Sequence, residues 1–314
     1  MGFWDDKRVL VTGGNGFLGS FLIEKLIREK RLDPNNIRAP RSNELDLTKW
    51  DNCINAAKDI DIVIHLAAKV GGIGFNKKFP ATLFYNNAIM GIQMMEASRI
   101  QNVRKFVAIG TVCAYPKFTP TPFSENDLWN GYPEETNAPY GLAKKMLLVQ
   151  AQAYRSQYGF NAIYLLPVNL YGPRDNFDPD ESHVIPALVK KMVDHKENSD
   201  GIVVWGTGKA SREFLYVEDA ADGIILATEK YNKPDPVNLG SGEEISINSL
   251  VALIANLASY HNKIIWDSSK PDGQPRRRLD TSRALKEFGF EARTSLTDGL
   301  RKTIEWYLEN QKKS

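Results

Sequence analysis

The stretch Val9-Leu10-Val11-Thr12-Gly13-Gly14-Asn15-Gly16-Phe17-Leu18-Gly19 joins a short β-branched run to a segment of helical period, Phe17 to Glu29. Glycines at this spacing have a mechanism in that context. Gly13 allows a tight turn, Gly16 lets backbone approach a pyrophosphate, and Gly19 lets the helix pack on the strand while the helix N-terminus faces the phosphates. A dinucleotide site is therefore expected at Gly13, Asn15, Gly16, Phe17, Leu18 and Gly19; a glycine-rich turn without a ligand is the alternative, and the strand-turn-helix context argues against it. The acidic residue that would hold a ribose hydroxyl about 20 residues later is missing from the end of the second strand. Arg38 and Arg41 stand there instead. Guanidinium groups suit a 2′-phosphate, so NADP(H) is expected over NAD(H), against the reading that both arginines are simply solvated.

Outward from this turn, β-branched runs at Val9 to Thr12, Asn36 to Ala39, Ile62 to Leu66, Phe106 to Ile109 and Ala162 to Leu166 alternate with helical patterns such as Tyr140 to Tyr158. Runs apolar throughout suit a parallel sheet covered on both faces. The expected fold is α/β, a doubly wound parallel sheet of Rossmann type with a second, smaller, mixed α/β substrate lobe. After Leu166 the Pro- and Gly-rich punctuation begins, and Phe214 to Lys230 returns to a strand-then-helix pattern. Residues 1–168 plus 214–238 are assigned to the dinucleotide-binding domain, and residues 169–213 plus 239–314 to the substrate lobe.

The 314 residues are 42% hydrophobic and 25% charged, the balance of a globular protein with a full core. A net charge of +2 gives no field for nucleic acid or anionic membrane. No apolar run approaches the roughly 18 to 20 residues of a spanning helix, and the first strand begins too early for a secretory leader, so a cytoplasmic protein is expected. Cys53 and Cys113 are too few for a disulfide framework, and no His/Cys grouping has metal-ligand spacing; no metal is expected.

In Tyr140-Gly141-Leu142-Ala143-Lys144 the four-residue spacing puts the phenol and the ammonium on one helix face, with Cβ atoms about 5–6 Å apart. An ammonium there favours phenolate and draws the phenol toward neutral pH, where it can give or take a proton. Taken alone, the spacing reads as a surface pair; behind a dinucleotide turn, and with Thr111 ending the fourth strand, it reads as catalytic. Asp46 and Leu47 follow the second strand and face the adenine, while His65-Leu66-Ala67-Ala68 ends the third strand at the edge where open sheets bind ligands. His65 itself reads as a packed, satisfied histidine.

With these residues in place the chain resembles the extended short-chain dehydrogenase/reductase superfamily, which carries such a first turn, a Ser/Thr on strand four and Tyr-x-x-x-Lys. Within it the chain is similar to the GDP-L-fucose synthase family through Ala68-Lys69-Val70-Gly71-Gly72-Ile73, Cys113-Ala114-Tyr115-Pro116-Lys117 and Asn169-Leu170-Tyr171-Gly172-Pro173-Arg174-Asp175-Asn176-Phe177. Ser182-His183-Val184-Ile185-Pro186-Ala187-Leu188, Val204-Trp205-Gly206-Thr207-Gly208, Arg212-Glu213-Phe214-Leu215 and Lys270-Pro271-Asp272-Gly273 extend the match. The resemblance implies an NADPH-dependent epimerase-reductase of a GDP-linked 4-keto-6-deoxy sugar, acting as a homodimer. It implies further cofactor contacts at Leu66, Ala67, Ala68, Pro167 and Asn169, and substrate contacts at Asn169, His183, Lys191, Trp205, Arg212 and Arg277. Thr111-Val112 departs from the two serines common in the family: Thr keeps the hydroxyl, and Val112 removes a polar neighbour.

Inverting a carbon beside a ketone needs a base and an acid on opposite faces. Cys113 and His183 are the candidates. If the fourth strand continues, period-2 geometry puts Cys113 on the same side as Thr111; a buried, inert thiol is the alternative reading. His183 is either an acid poised near neutral pH, the role the resemblance assigns, or only the residue that opens the helical run after it. Arg276 and Arg278 either hold a nucleotide diphosphate or are a solvated basic run, and His195 and His261 read as surface residues. Another nucleotide-sugar ketoreductase or epimerase, and a non-catalytic NADP(H)-binding regulator, stand as the competing functions; a dehydratase is disfavoured because Val112-Cys113 occupies the place of its acidic pair.

Overall fold

The computed structural model describes residues 2–178, 182–196, 200–270 and 272–311; Pro271 of the quoted Lys270 to Gly273 stretch lies outside them. In chain order the elements are β1 (Val9–Thr12), α1 (Phe17–Arg28), β2 (Ile37–Arg38), α2 (Trp50–Ala57), β3 (Ile62–His65), α3 (Ile73–Lys78), α4 (Pro80–Ile100) and β4 (Lys105–Ile109). Then follow α5 (Ala138–Tyr158), β5 (Ala162–Pro167), β6 (Asn169–Tyr171), α6 (Val184–Asp194), β7 (Ile202–Trp205), β8 (Ser211–Arg212), β9 (Phe214–Tyr216) and α7 (Val217–Lys230). The last are β10 (Val237–Leu239), β11 (Ile245–Ser246), α8 (Ile247–Leu257), β12 (Ile264–Asp267), α9 (Ser282–Phe288) and α10 (Leu296–Gln311).

Six strands form one parallel sheet in the order β10-β5-β4-β3-β1-β2. The chain leaves β1 to one side for β2 and returns on the other for β3, so the order reverses beside β1, where open α/β sheets bind ligands at the carboxyl edge. β1, β3, β4 and β5 are buried along their whole length, as continuous apolar runs under two helical layers require. One layer is α2, α4 and α5; the other is α1, α7 and α9. The fold is thus the doubly wound α/β architecture expected.

Buried apolar residues sort into two clusters. The larger surrounds the sheet, and the smaller joins α6, α8 and α10 to β7 and β9. β9 takes part in both: Leu215 faces the first and Phe214 and Tyr216 the second, by the two-residue period of a strand. One difference from the expected division concerns residues 279–292, assigned above to the substrate lobe. Leu279, Ala284, Phe288 and Phe290 pack into the first cluster because α9 lies against α7 and β10.

Lys105 on β4 is buried, and its ammonium donates to the carbonyls of Thr228 (2.5 Å), Tyr231 (2.6 Å) and Ala227 (3.3 Å), closing the C-terminus of α7. Burial pushes it down to about 8. Lys105→Met keeps the stem but takes the ammonium from the Thr228 and Tyr231 carbonyls, and is expected to lower stability by about 2–4 kcal/mol. Chemical denaturation checks this, and a change below about 0.5 kcal/mol would show that the ammonium closes nothing of consequence.

Candidate active site

One cavity of about 2320 Å³ runs from the glycine turn after β1, over the carboxyl edge of the sheet, to α6 and β7. It is larger than the pocket of one small ligand, with room for a dinucleotide and a nucleotide sugar together. Gly13, Asn15, Gly16, Phe17, Leu18 and Gly19 all line one end. Gly13 has φ +71, and a Cβ on Gly19 would strike the Gly13 carbonyl oxygen and come within 2.6 Å of the Gly14 Cα. Gly16 begins α1 without a side-chain cap, so the first N–H groups of the helix are left for an anion. The Asn15 amide donates to the Ala39 carbonyl (2.7 Å), fixing the turn against the end of β2.

The two arginines expected beside this turn separate. Arg41 lines the cavity. Arg38 does not: its guanidinium donates to the carbonyls of Asn55 (2.7 Å) and Ala56 (3.2 Å), because the last turn of α2 leaves such groups without helical partners. Asp46 and Leu47 line the cavity next to it; the Asp46 carboxylate accepts from the Thr48 backbone N–H (2.9 Å) and hydroxyl (2.8 Å), which hold it below the usual carboxylate range. Leu66, Ala67 and Ala68 form the opposite wall, and Asn87 fixes the chain that follows, accepting from the Lys69 N–H and donating to the Lys69 carbonyl, both at 2.9 Å. His65 is buried beneath, 2.8 Å from the Thr12 hydroxyl, and burial followed by the charge of Lys144 drives it down to about 3. It is a neutral packing residue. The glycine cradle and the cation at Arg41 fit NADP(H).

At the centre stand Thr111, Cys113, Tyr140 and Lys144, with Pro167 and Asn169 beside them. The fourth strand does not continue to Cys113, so the period-2 placement does not apply. β4 ends at Ile109, and Thr111 caps a single 3₁₀ turn, Val112–Ala114, by accepting from the Cys113 N–H at 3.2 Å. The thiol still reaches the cavity, carried by that turn. Val112, in place of the family's second serine, is buried between the core and the cavity wall. Sequence reasoning passed over Gly141, whose role is close approach: a Cβ there would strike the Cys113 carbonyl, so its absence lets the turn lie against α5 beside Tyr140. A glycine inside a helical pattern is the signal that marks such a position.

The Tyr140 phenol and the Thr111 hydroxyl both line the cavity, and Thr111 favours the ionised phenol. Its titration corrects the expectation of a lowered phenol: burial, and then the nearby Cys113 charge, push it well above the ordinary tyrosine value, against the smaller lowering from Thr111. Lys144 is itself pushed down to about 8 by burial. The phenol is therefore neutral at pH 7, the form that donates a proton.

Arg277 is buried and brings Nη1 to 3.8 Å from Cys113 Sγ and 3.5 Å from Asn169 Oδ1, while Nε and Nη2 donate to Gln274 Oε1 at 3.3 and 3.2 Å. Arg212 donates to the carbonyls of Gln274 (2.6 Å) and Asp272 (2.9 Å); burial and the neighbouring Arg277 push it down to about 10. His183 opens α6 but does not cap it, so its ring is left to the cavity, and burial and Arg277 lower it below the ordinary histidine value. Lys191 donates to the Val203 carbonyl (2.8 Å) and Trp205 is exposed, with Lys270 5.4 Å from its ring; both line the far end. Arg276 is paired with Glu244, and His195 is exposed at the end of α6. Asp175, unassigned by sequence reasoning, also lines the cavity; burial raises it to about 7, and its Oδ2 has no partner among the described residues.

Residues 9–240 match the family described as NAD dependent epimerase/dehydratase family. The chain is 41% identical over 314 residues to a probable GDP-L-fucose synthase 1 of Oryza sativa subsp. japonica, covering 98% of this chain and 94% of the relative. Among solved structures, a GDP-6-OMe-4-keto-L-xylo-heptose reductase from C. jejuni superposes with a TM-score of 0.91 at 26% identity, covering 99% of this chain and 100% of that one. A GDP-L-fucose synthetase from Naegleria fowleri bound to NADP superposes with a TM-score of 0.87 at 27% identity, over 100% of this chain and 98% of that one. The glycine cradle, the Thr-Tyr-Lys centre and relatives matched over nearly their whole length agree, and the chain belongs to the NAD dependent epimerase/dehydratase family, in the branch that holds the GDP-L-fucose synthases.

Proposed function

We propose that this protein is an NADPH-dependent epimerase-reductase that converts GDP-4-keto-6-deoxy-D-mannose to GDP-L-fucose. The observation that carries the reading is the opening of Cys113, His183, Thr111, Tyr140 and Lys144 onto one cavity beside the dinucleotide cradle. Tyr140 and Thr111 hold the keto oxygen. Cys113 removes a proton from a carbon beside the ketone, the electron pair moves onto the keto oxygen as an enolate, and His183 returns a proton to the opposite face; this occurs at carbons three and five. NADPH, when bound, supplies the hydride that reduces carbon four. Tyr140 gives its proton to the keto oxygen as the alcohol forms, and Lys144 steadies the phenol. Epimerisation precedes reduction because the alcohol no longer acidifies its neighbours.

Mixing the purified protein with freshly generated GDP-4-keto-6-deoxymannose is expected to consume NADPH rapidly and NADH more slowly, with Arg41→Ala narrowing the difference. Absence of turnover with either cofactor, from protein that binds NADPH, would reject the substrate. In the same assay kcat/KM is expected to fall above about pH 8, because Lys144, pushed down to about 8, loses its charge as the pH rises through that value. A flat profile up to pH 9 would show that the charge of Lys144 does not steady the phenol.

The exposed apolar face of α4 and α5 takes a second copy: the two helices pack side by side, and Phe84, Tyr85, Met146 and Val149 are exposed on them, which supports a homodimer through this pair of helices. No helix among the described residues is long and apolar enough to cross a membrane, and both cysteines are free, in keeping with a reducing compartment and a cytoplasmic location.

A further inference from the structure

Glu134 lines the cavity, and the proposed reaction leaves it without a task. One of its oxygens, Oε2, accepts from the Thr136 hydroxyl (2.6 Å), the Asn137 side-chain amide (2.6 Å) and the Asn137 backbone N–H (3.2 Å). Asn137 Oδ1 accepts in turn from the Asn76 amide on α3 (3.0 Å), and Asn137 is the residue on which α5 opens. The carboxylate is thereby locked into one orientation between α3 and the helix that carries Tyr140. Oε1 has no hydrogen bond among the described residues and is not among the enclosed polar atoms. Arg212 feels the charge of Glu134 together with those of Cys113 and Asp272, so the carboxylate belongs to the reacting end of the cavity.

An ionised carboxylate only accepts hydrogen bonds, and it repels phosphate. The part of a nucleotide sugar that suits a rigid, half-saturated carboxylate is a hydroxyl. We infer that Glu134 is a specificity-determining residue whose Oε1 accepts a hydrogen bond from a ring hydroxyl of the GDP-linked sugar; this rests on the proposed substrate class. The competing role is a purely local one, bracing the turn before α5. Glu134→Gln separates them, because the amide keeps an acceptor oxygen for the three turn donors and presents an NH₂ group where Oε1 stood.

The test is calorimetric titration of wild-type protein and Glu134→Gln with GDP-mannose and with GDP, in the presence of NADP⁺. The Kd for GDP-mannose is expected to rise about 10- to 100-fold in the variant, with the Kd for GDP and the melting temperature unchanged. Equal weakening of both ligands, or no change in either, overturns the inference. If the variant does not fold, wild-type protein is titrated with 2-deoxy and 3-deoxy derivatives of GDP-mannose. At least one should bind about tenfold more weakly than GDP-mannose, and equal binding of all three overturns the inference. The readout is binding, so failed turnover of the 4-keto sugar would count against the proposed reaction and leave Glu134 to be judged by these titrations.

Discussion

Tyr140→Phe is expected to slow NADPH consumption by about 10²- to 10⁴-fold while leaving NADPH binding and the melting temperature near wild type. The substitution removes one oxygen from a ring that lines the cavity and leaves the Thr111 hydroxyl accepting from the Cys113 N–H. Reduction of a ketone leaves a negative charge on oxygen unless a proton arrives with the hydride, and the proposed mechanism assigns that proton to the buried phenol. Burial and the Cys113 charge raise the phenol above its ordinary value, so no fraction of it is lost to ionisation at neutral pH. Stopped-flow absorbance gives the rate, and fluorescence titration gives the cofactor Kd. A rate within threefold of wild type would exclude Tyr140 as the proton donor.

The second large effect is expected at Cys113. Cys113→Ser should abolish exchange of solvent deuterium into carbons three and five of the sugar, because an alcohol is a far weaker acid than a thiol and gives almost no anion to act as base. The guanidinium of Arg277, 3.8 Å from the sulfur, is left in place by this change and can meet the new hydroxyl, so the fold should survive. Mass spectrometry of product formed in D₂O reads the exchange site by site. Unchanged incorporation at both carbons sinks the assignment; loss at one carbon alone would show that a second base serves the other.

The parts of this protein that were legible in its sequence are those whose geometry is local. The glycine turn from Gly13 to Gly19, the Tyr140/Lys144 pair and the alternation of buried runs with helices all follow from spacings of one to seven residues, which helix and strand periods translate directly into position. What escaped depends on distant neighbours. Arg38 looked equivalent to Arg41, but α2 ends close enough to claim its guanidinium. The placement of Cys113 hung on whether the fourth strand continued, and the 3₁₀ turn capped by the Thr111 hydroxyl carries the thiol instead. The direction of the Tyr140 shift was misjudged because the phenol is buried beside Cys113, and the cost of burying the phenolate outweighs the lowering from Thr111. Glu134 and Gly141 became visible only when Asn76, Asn137 and the 3₁₀ turn were brought against them.

The strand Phe214–Tyr216 places successive side chains in different cores, and the stretch around Leu279 returns to the sheet after the chain has passed through the smaller lobe. No single cut therefore separates a cofactor half from a substrate half. A relative could not acquire a new sugar preference by exchanging one contiguous cassette, since any transplanted segment would carry residues that complete the donor's other core. Altered specificity is therefore better sought residue by residue in the cavity wall, at positions such as Val112 and Glu134, than by chimera construction.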